Sequence, residues 1–439
     1  MSSIHRALCG LLVLSGLVAC GETPPSAPAG ECTLAANACA AGFECREVLA
    51  GEWLCRPSLD AAAPDGDAES ASDADTLPGD ATPPGPMPLT DAAARPDDAA
   101  PPLIGDSAPP TPPARDAGAP VEGAITIAGR QLLVGGRPLH LKGVNWNPVP
   151  QGGVHPRDLD FAGFVAQDSA LMANAGINVV RTYEPITDRA VLDALWARGI
   201  YVMSTVYAWG GAPVDHVVDS INATKDHPAI LMWAVGNEWN YNGLYTGMPF
   251  DDARDRVREV IRRVKALDPT RPVATVYGEM PTADVIASMP EVDVWGLNVY
   301  RGLTFGDLFD VWAQRSGAPM FVGEYGADAY NAHFHGQDDG AEDQAAQAEA
   351  TTTLTQELVA QSAVDGGVSL GGCVFEWADE WWKDGGGDPN VHDAGGFAPG
   401  GGPHPDQVFN EEWWGLVELD RTPRQAYRAY AEVPVPVAP

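Results

Sequence analysis

The chain has 439 residues, which is more than one average domain needs, although an α/β barrel can use roughly 250 residues as a single unit. Its 60 acidic residues far outnumber its 26 basic residues. This excess argues against a nucleic-acid partner, because phosphate neutralisation needs clustered Lys and Arg. We therefore expect one large domain with accessory segments and no nucleic acid as a partner.

Residues 1–20 are typical of a secretory leader. Arg6 precedes an apolar stretch, 7–18, that is too short to span a membrane. Leu17-Val18-Ala19-Cys20 resembles a bacterial lipobox, which implies that Cys20 is lipidated and begins the mature protein; an ordinary signal peptide is the alternative. Because Gly21 rather than Asp follows, the resemblance implies an exported protein held at the bacterial outer membrane, in the periplasm or at the cell surface, through its lipid alone.

Segment 21–56 predicts a small Cys-rich module with two disulfides in one of three connectivities. Its cysteines are Cys32, Cys39, Cys45 and Cys55. A zinc site is the alternative, but paired C-x-x-C units are missing from the segment. Residues 57–122 consist mainly of Ala, Pro and Asp, so they cannot bury enough apolar area to offset their conformational entropy and predict a disordered linker.

Residues 123–434 predict the catalytic domain. After a hairpin-like stretch at 125–133, with its turn at Gly135-Gly136, apolar runs alternate with amphipathic segments eight times. The runs are 140–146, 178–183, 201–207, 230–238, 272–278, 292–300, 319–326 and 371–377, and the segments between them include 158–175, 188–198, 251–267, 305–315 and 341–363. Continuously apolar strands joined by helices indicate a parallel sheet that is covered on its outer face. The predicted fold class is α/β, a (β/α)8 TIM barrel, and a doubly wound open sheet is the alternative.

The ends of the predicted strands are rich in polar and aromatic residues. In a barrel these ends share one rim, where aromatic rings can stack on sugar rings while Asn and Arg bond their hydroxyl groups. The candidate substrate-binding residues are Arg181, Asn145, Trp146, Tyr207, Trp209, Asn237, Asn298, Tyr300 and Trp377. The rim therefore predicts a carbohydrate substrate, with no metal or other cofactor.

Two glutamates end predicted strands four and seven. They lie in Val235-Gly236-Asn237-Glu238-Trp239 and in Val322-Gly323-Glu324-Tyr325. With the second-strand Arg181, these motifs resemble clan A glycoside hydrolases, most closely the TIM-barrel catalytic domain of glycoside hydrolase family 2 without its N-terminal β-sandwich domains. The resemblance implies that Glu238 is the acid/base and Glu324 the nucleophile, with carboxyl groups about 5 to 5.5 Å apart, as retention requires.

The resemblance thus implies a retaining glycosidase that hydrolyses O-glycosyl bonds in β-linked oligo- or polysaccharide. A β-glucanosyltransferase on the same barrel and a non-catalytic glycan-binding surface lipoprotein are the alternatives. Glu279 and Glu376 also end strands, but their neighbours do not match the family's motifs. A Gly- and Asp-rich loop, 384–406, is flanked by Trp381, Trp382, Trp413 and Trp414; we expect it to form a substrate-binding wall or lid.

Overall fold

A computed structural model describes residues 43–49, 52–57, 122–336, 340–383, 387–398 and 402–436. The chain divides into two units, residues 1–106 and 107–439. In the first unit Phe43–Leu49 pairs antiparallel with Glu52–Pro57, and Cys45 is opposite Cys55 in the register. The predicted leader with Cys20, the cysteines Cys32 and Cys39, and linker residues 58–121 lie outside the described residues. The lipidation, the disulfides and the domain bounds stay predictions.

Eight parallel strands close into a barrel within the described part of the second unit. In chain order they are Leu141–Asn145, Val179–Thr182, Tyr201–Tyr207, Ile230–Val235, Val273–Gly278, Val294–Asn298, Met320–Tyr325 and Ser369–Val374. Each strand pairs with the next, and the eighth closes on the first with Gly371 opposite Leu141. The predicted (β/α)8 barrel is thereby confirmed, and the open sheet is excluded.

In the described residues an α-helix of at least six residues follows every barrel strand. The helices are Phe161–Asn174, Arg189–Trp196, Val217–Thr224, Phe250–Leu267, Ala283–Ser288, Leu308–Arg315, Gln344–Ala360 and Gln425–Glu432. The first begins after Asp160, whose carboxylate accepts a hydrogen bond from the Gly163 N–H at 2.8 Å and so caps the helix. The fourth buries Ala253, Val257, Val260, Ile261 and Val264, a spacing of three and four residues that lays one apolar face on the strands. None of these helices is long and apolar enough to cross a bilayer.

A three-stranded antiparallel sheet precedes the barrel. Its strands are Ile125–Ala128, Gln131–Val134 and Arg137–Pro138. The sequence predicted one hairpin with its turn at Gly135-Gly136, but the structure has three strands and two turns. The additional turn, at 129–130, separates the first two strands. Leu132 and Val134 share an apolar cluster with Leu141 and Val179, which begin barrel strands. The small sheet therefore covers the amino-terminal end of the barrel and leaves the carboxyl ends of the strands for a site.

Candidate active site

The carboxylate of Glu324 lies at the centre of a hydrogen-bonded group that we call the floor: Arg181, Tyr183, Asn237, Tyr300 and Glu324. Arg181 Nη1 and the Tyr183 hydroxyl donate to Glu324 Oε1 at 2.8 and 2.6 Å, and the Tyr300 hydroxyl donates to Oε2 at 3.1 Å. Arg181 is fully buried and also donates to Asn237 Oδ1 at 2.6 Å. Burial, reinforced by the Glu324 charge, raises the pKa of both tyrosines well above the usual value, so both stay protonated donors. The floor holds the Glu324 carboxylate in one orientation.

Glu238 ends the fourth strand region in a left-handed backbone conformation, with φ 46° and ψ 33°. Few residues other than glycine adopt this conformation, and it costs on the order of 1–3 kcal/mol where it is held. The chain here is held by a hydrogen bond from the Glu238 N–H to the Val276 carbonyl at 3.0 Å, and the short helix Trp239–Asn242 follows. Asn298 Nδ2 donates to Glu238 Oε1 at 3.2 Å. The strained turn thus directs a carboxyl group into the cavity at the barrel mouth.

The two glutamates have opposite electrostatic surroundings. Burial raises the pKa of Glu238 to about 7, and the negative charge of Glu324 adds to this effect against the hydrogen bond from Asn298. Glu324 instead contacts a guanidinium and two phenols. One carboxyl group therefore keeps its proton up to about pH 7, beside one that is paired with a buried guanidinium, which is the arrangement that a general acid and a nucleophile need.

Both carboxyl groups line one cavity of about 900 Å³ at the carboxyl ends of the strands. Its aromatic lining is Tyr183, Trp209, Tyr241, Tyr245, Tyr300, Phe375, Trp382, Phe409 and Trp414. The rings of Trp209, Tyr241 and Tyr245 are 58%, 66% and 56% exposed. A cavity of this size with exposed rings and convergent carboxylates is suited to a sugar, whose ring stacks on aromatic faces and whose hydroxyls need acceptors.

One side of the cavity is formed by Glu380, Lys383 and Glu411, which follow the eighth strand. Together with the buried Glu376, which interacts with Glu380 but does not line the cavity, we call these residues the acidic wall. Lys383 Nζ lies 3.3 Å from Glu411 Oε2 and 3.6 Å from Glu380 Oε2. Burial raises the pKa of Glu376 well above its usual range, and the neighbouring Glu380 raises it further. Burial likewise raises the pKa of Glu380, against the effect of Lys383. The wall thus holds three carboxyl groups around one ammonium.

The structure brings together most of the sequence-predicted site residues. Glu238, Glu324, Asn237, Asn298, Tyr300 and Trp209 line the cavity. Arg181 and Asn145 lie beneath it, fully or almost fully buried, and Asn145 Oδ1 accepts a hydrogen bond from Arg181 Nη1 at 2.8 Å. Both therefore orient the floor rather than contact a substrate directly.

Trp146, Tyr207 and Trp377 are placed elsewhere, and their prediction as substrate-binding residues is corrected. Trp146 follows Asn145 and, because strand side chains alternate, points away from the barrel axis, where its Nε1 donates to Asp168 Oδ2 at 2.8 Å. The Tyr207 hydroxyl donates to the Ala212 carbonyl at 2.7 Å. Trp377 is buried and packs on Tyr427 with ring centroids 6.2 Å apart. All three are core residues.

Several cavity residues were missed because they come from loops with irregular spacing. They are His155, Glu184, Tyr241, Tyr245, Lys383, Phe409 and Glu411. Of the four tryptophans beside the Gly-rich loop, Trp382 and Trp414 line the cavity. Trp381 and Trp413 instead stack on His392, with ring centroids 5.1 and 3.6 Å from it. The nearness of two tyrosines to Glu238 in sequence was the only signal that pointed to missed residues.

Comparison with known proteins defines the class of the barrel. Residues 204–347 match the family model described as "Glycosyl hydrolases family 2, TIM barrel domain". This segment contains both Glu238 and Glu324. The resemblance predicted from the strand-end motifs is confirmed over this segment of the barrel.

The similar curated proteins are β-glucuronidases by name. The one from Rattus norvegicus is 28% identical over 229 residues, which make up 47% of this chain and 34% of that protein. The one from Homo sapiens is 26% identical over 235 residues, 48% of this chain and 34% of that protein. The chain thus spans about a third of the length of these relatives.

Solved structures show the same fold. A family 2 β-galacturonidase from Eisenbergiella tayi, bound to galacturonate, superposes with a TM-score of 0.51 at 21% identity, over 70% of this chain and 53% of that chain. A β-glucuronidase from Bacteroides uniformis gives a TM-score of 0.51 at 19% identity, over 70% and 37%. The shared part corresponds to the barrel.

Proposed function

We propose that the barrel is a retaining glycoside hydrolase that cleaves β-linked oligo- or polysaccharide by double displacement. One observation carries the proposal: Glu238 and Glu324 line the same cavity, where Glu238 keeps its proton up to about pH 7 and Glu324 pairs with Arg181. The family model adds independent support, since it covers both residues.

In the first step Glu324 attacks the anomeric carbon while Glu238 gives its proton to the glycosidic oxygen. The bond from the anomeric carbon to that oxygen breaks, the leaving sugar departs with the proton, and a glycosyl ester of Glu324 remains. Glu238, now ionised, removes a proton from water as the water attacks the same carbon. The ester bond breaks, Glu324 is released as a carboxylate, and the β configuration is restored.

In this second step the carboxylate of Glu324 is the leaving group. Its hydrogen bonds must therefore suit both the glycosyl ester and the free carboxylate. Tyr183 and Tyr300 donate to different oxygens, so one of them still donates to the carbonyl oxygen whichever oxygen forms the ester. Asn237 Oδ1 accepts from both Arg181 and Asn298, at 2.6 and 3.2 Å, which holds its amide beside the expected position of the sugar. These contacts preorganise the site before substrate arrives.

The charge of the cavity bears on the sugar it would accept. The described lining residues carry six carboxyl groups, of Glu184, Glu238, Glu279, Glu324, Glu380 and Glu411, and one ammonium group, of Lys383. Glu238 keeps its proton up to about pH 7, and Arg181 and Arg301 pair with Glu324 and Glu279, so the excess of acid comes from Glu184, Glu380 and Glu411. Burial lowers the pKa of His155 to about 4, so this lining histidine adds no positive charge at neutral pH. Lys383 already pairs with Glu380 and Glu411. We therefore propose neutral β-linked sugars as substrates, in contrast to the uronic acids in the names of the relatives.

The reaction is tested by following the anomeric proton of the first product by NMR and by the Glu324→Ala variant. A retaining hydrolase releases the β anomer first, and Glu324→Ala loses nearly all turnover while it still binds substrate. A non-catalytic glycan-binding protein would show no turnover in the unaltered chain. Product analysis with added acceptor sugar separates hydrolysis from the glucanosyltransferase alternative, because transfer makes longer products. Initial release of the α anomer would refute the mechanism.

For the location of the protein we propose export and lipid anchoring at Cys20. The observation behind it is the leader-like segment 1–20 with its lipobox-like end. Mass spectrometry of the full chain from bacterial membranes should find a lipidated Cys20, and Cys20→Ser should leave the protein unlipidated. An unmodified cysteine in a membrane-bound protein would contradict the proposal.

A further inference from the structure

Glu279 ends the fifth barrel strand, and the chemistry proposed for Glu238 and Glu324 does not use it. Its backbone is left-handed, with φ 63°, a conformation that costs on the order of 1–3 kcal/mol and persists only where the surroundings impose it. Arg301 Nε and Nη2 donate to the two Glu279 carboxylate oxygens at 2.9 and 2.5 Å. The side chain is nevertheless 38% exposed and lines the cavity. Glu279 is therefore a carboxylate held rigidly by one cation and presented to the cavity.

Beside Glu279 lies the Tyr241 ring, which is 66% exposed. Asn240 fixes the short helix that carries it: Asn240 Nδ2 donates to the Gly278 carbonyl at 3.0 Å, and the Gly278 N–H donates to Asn240 Oδ1 at 2.7 Å. The ring then lies directly against Gly278, where a Cβ atom would be only 2.2 Å from a Tyr241 ring carbon. An exposed ring that needs a glycine beneath it is positioned as a stacking surface.

The side of the cavity follows from the neighbours of Tyr241. Tyr241 lies on the short helix that directly follows Glu238, and its N–H donates to the Glu238 carbonyl at 2.8 Å. Burial and the nearby charges of Glu279 and Glu238 raise the pKa of its phenol. Glu238 is the proposed proton donor to the glycosidic oxygen, so it faces the leaving group, whereas Glu324 faces the anomeric carbon. Tyr241 and Glu279 therefore lie on the leaving-group side of the scissile bond.

We propose that Tyr241 and Glu279 form a binding subsite for the sugar residue that leaves, with the ring stacking on its C–H face and the carboxylate accepting its hydroxyl groups. This inference rests on the proposed hydrolase function and adds the nature of the leaving group. The preferred substrate is a chain with a sugar on the leaving side of the bond, rather than a glycoside with a small non-sugar leaving group.

The test compares two substrates of one sugar: the shortest β-linked oligosaccharide that the unaltered full chain cleaves, and the β-glycosyl fluoride, whose leaving group is too small to reach Tyr241. The measured quantity is the ratio of kcat/KM for the oligosaccharide to kcat/KM for the fluoride. Tyr241→Ala should lower this ratio about tenfold, the upper range for one aromatic contact. Gly278→Ala, which displaces the ring but keeps Tyr241, should lower it in the same direction, and Tyr241→Phe should largely preserve it.

Glu279→Gln should lower the ratio by roughly threefold, because a hydrogen bond to a charged acceptor becomes a neutral one. Phe334→Ala is the matched control: Phe334 is 46% exposed but is not part of the cavity lining, and its removal should leave the ratio unchanged. Thermal unfolding of each variant checks that the comparison is made on folded protein.

The outcomes separate the subsite from the function on which it rests. If the unaltered protein turns over neither substrate, the proposed function and the subsite both fall. If it hydrolyses the fluoride but no oligosaccharide, or if Tyr241→Ala and Gly278→Ala lower both rates equally, the hydrolase stands and the subsite is overturned.

Discussion

The floor and the acidic wall face the same cavity but are built on different principles. In the floor, the Glu324 carboxylate receives three hydrogen bonds from side chains that begin on barrel strands or directly after them. In the acidic wall, Glu376 Oε1 and Glu380 Oε1 are buried without a hydrogen-bond partner among the described residues, and the one ammonium of Lys383 lies between Glu380 and Glu411.

This difference suggests that the floor serves the reaction and the acidic wall serves substrate recognition. A rigid scaffold with its charge balanced can hold a reacting carboxylate at one orientation before substrate arrives. A wall with excess carboxyl groups and unmet hydrogen-bonding capacity gains when a ligand supplies hydroxyl groups. We therefore expect changes in the floor to lower the rate of reaction, and changes in the wall to alter which sugar is accepted or how firmly the wall itself is held.

The largest expected effect follows from Arg181→Met in the floor. This change leaves the Glu324 carboxylate without its cation and without one of its three hydrogen-bond donors, and the loss of one preorganised donor costs roughly a hundredfold to a thousandfold in rate. Steady-state kinetics on the best neutral substrate measures it. Arg262→Met, at an arginine 53% exposed on the outer helices, is the control and should change nothing. A folded Arg181→Met protein with a tenth or more of the original activity would contradict the role given to the floor.

The next effect concerns how the acidic wall is anchored. Arg424 Nη1 and Nη2 donate to Asp379 Oδ1 and Oδ2 at 2.6 and 2.7 Å, with both side chains almost fully buried. Asp379 directly precedes Glu380, so this pair ties the wall to the last helix. Arg424→Met should lower the free energy of unfolding by about 3–5 kcal/mol, because it leaves the buried Asp379 carboxylate without its cation. Urea unfolding measures the loss.

The control for Arg424 is the pair of Arg189 and Asp226, whose side chains lie 2.8 Å apart but are 48% and 72% exposed. Arg189→Met should cost no more than about 1 kcal/mol, the usual value for exposed ion pairs. Equal losses from the two substitutions would mean that the wall is not held by its buried ion pair.

The floor could be predicted from the sequence because it obeys the geometry of a parallel barrel. Each strand is apolar until its last residues, so Arg181, Asn237 and Glu324 stand out as polar side chains at carboxyl ends that must share one rim. Side-chain alternation, however, depends on the exact register at the strand end. Trp146 lies one residue past Asn145 and faces the helices instead, so residue type alone assigned it wrongly.

The wall could not be predicted in the same way. Lys383 and Glu411 are 28 positions apart in the sequence, and their contact depends on the path of irregular chain between them rather than on any periodic pattern. Tyr241 is similar, because its exposure follows from the left-handed turn at Glu238 and from the contact with Gly278. Neither has a signal in hydrophobic periodicity.

The next prediction concerns how kcat/KM depends on pH, through the protonation of Glu238 beside Glu324. Glu238 must carry a proton to act as the acid, and burial with the Glu324 charge raises its pKa to about 7. Its raised pKa means that the proton is present below about pH 7 and is lost above it. We expect kcat/KM to fall above that pH, approaching tenfold per pH unit.

In Glu324→Gln, which lacks the neighbouring negative charge, the pKa of Glu238 should decrease. NMR titration of carboxyl carbons in this variant measures that change without the need for turnover. An unchanged pKa for Glu238, or a kcat/KM that stays level up to pH 9, would show that the two carboxyl groups do not interact as the cavity implies.

The smallest effect tests the wall as a determinant of substrate charge. Glu411→Gln removes one carboxylate and leaves Lys383 with one fewer competing anion, so a uronate carboxylate should be accepted better. Coulomb attraction at the partly exposed wall predicts a rise of roughly threefold to fivefold in the ratio of kcat/KM for an aryl β-glucuronide to that for the aryl β-glucoside. Glu349→Gln, at a carboxylate 60% exposed and outside the cavity lining, should leave the ratio unchanged. If unaltered protein already prefers the glucuronide, the wall does not repel uronates, and Lys383 must bind them despite its two carboxylate neighbours.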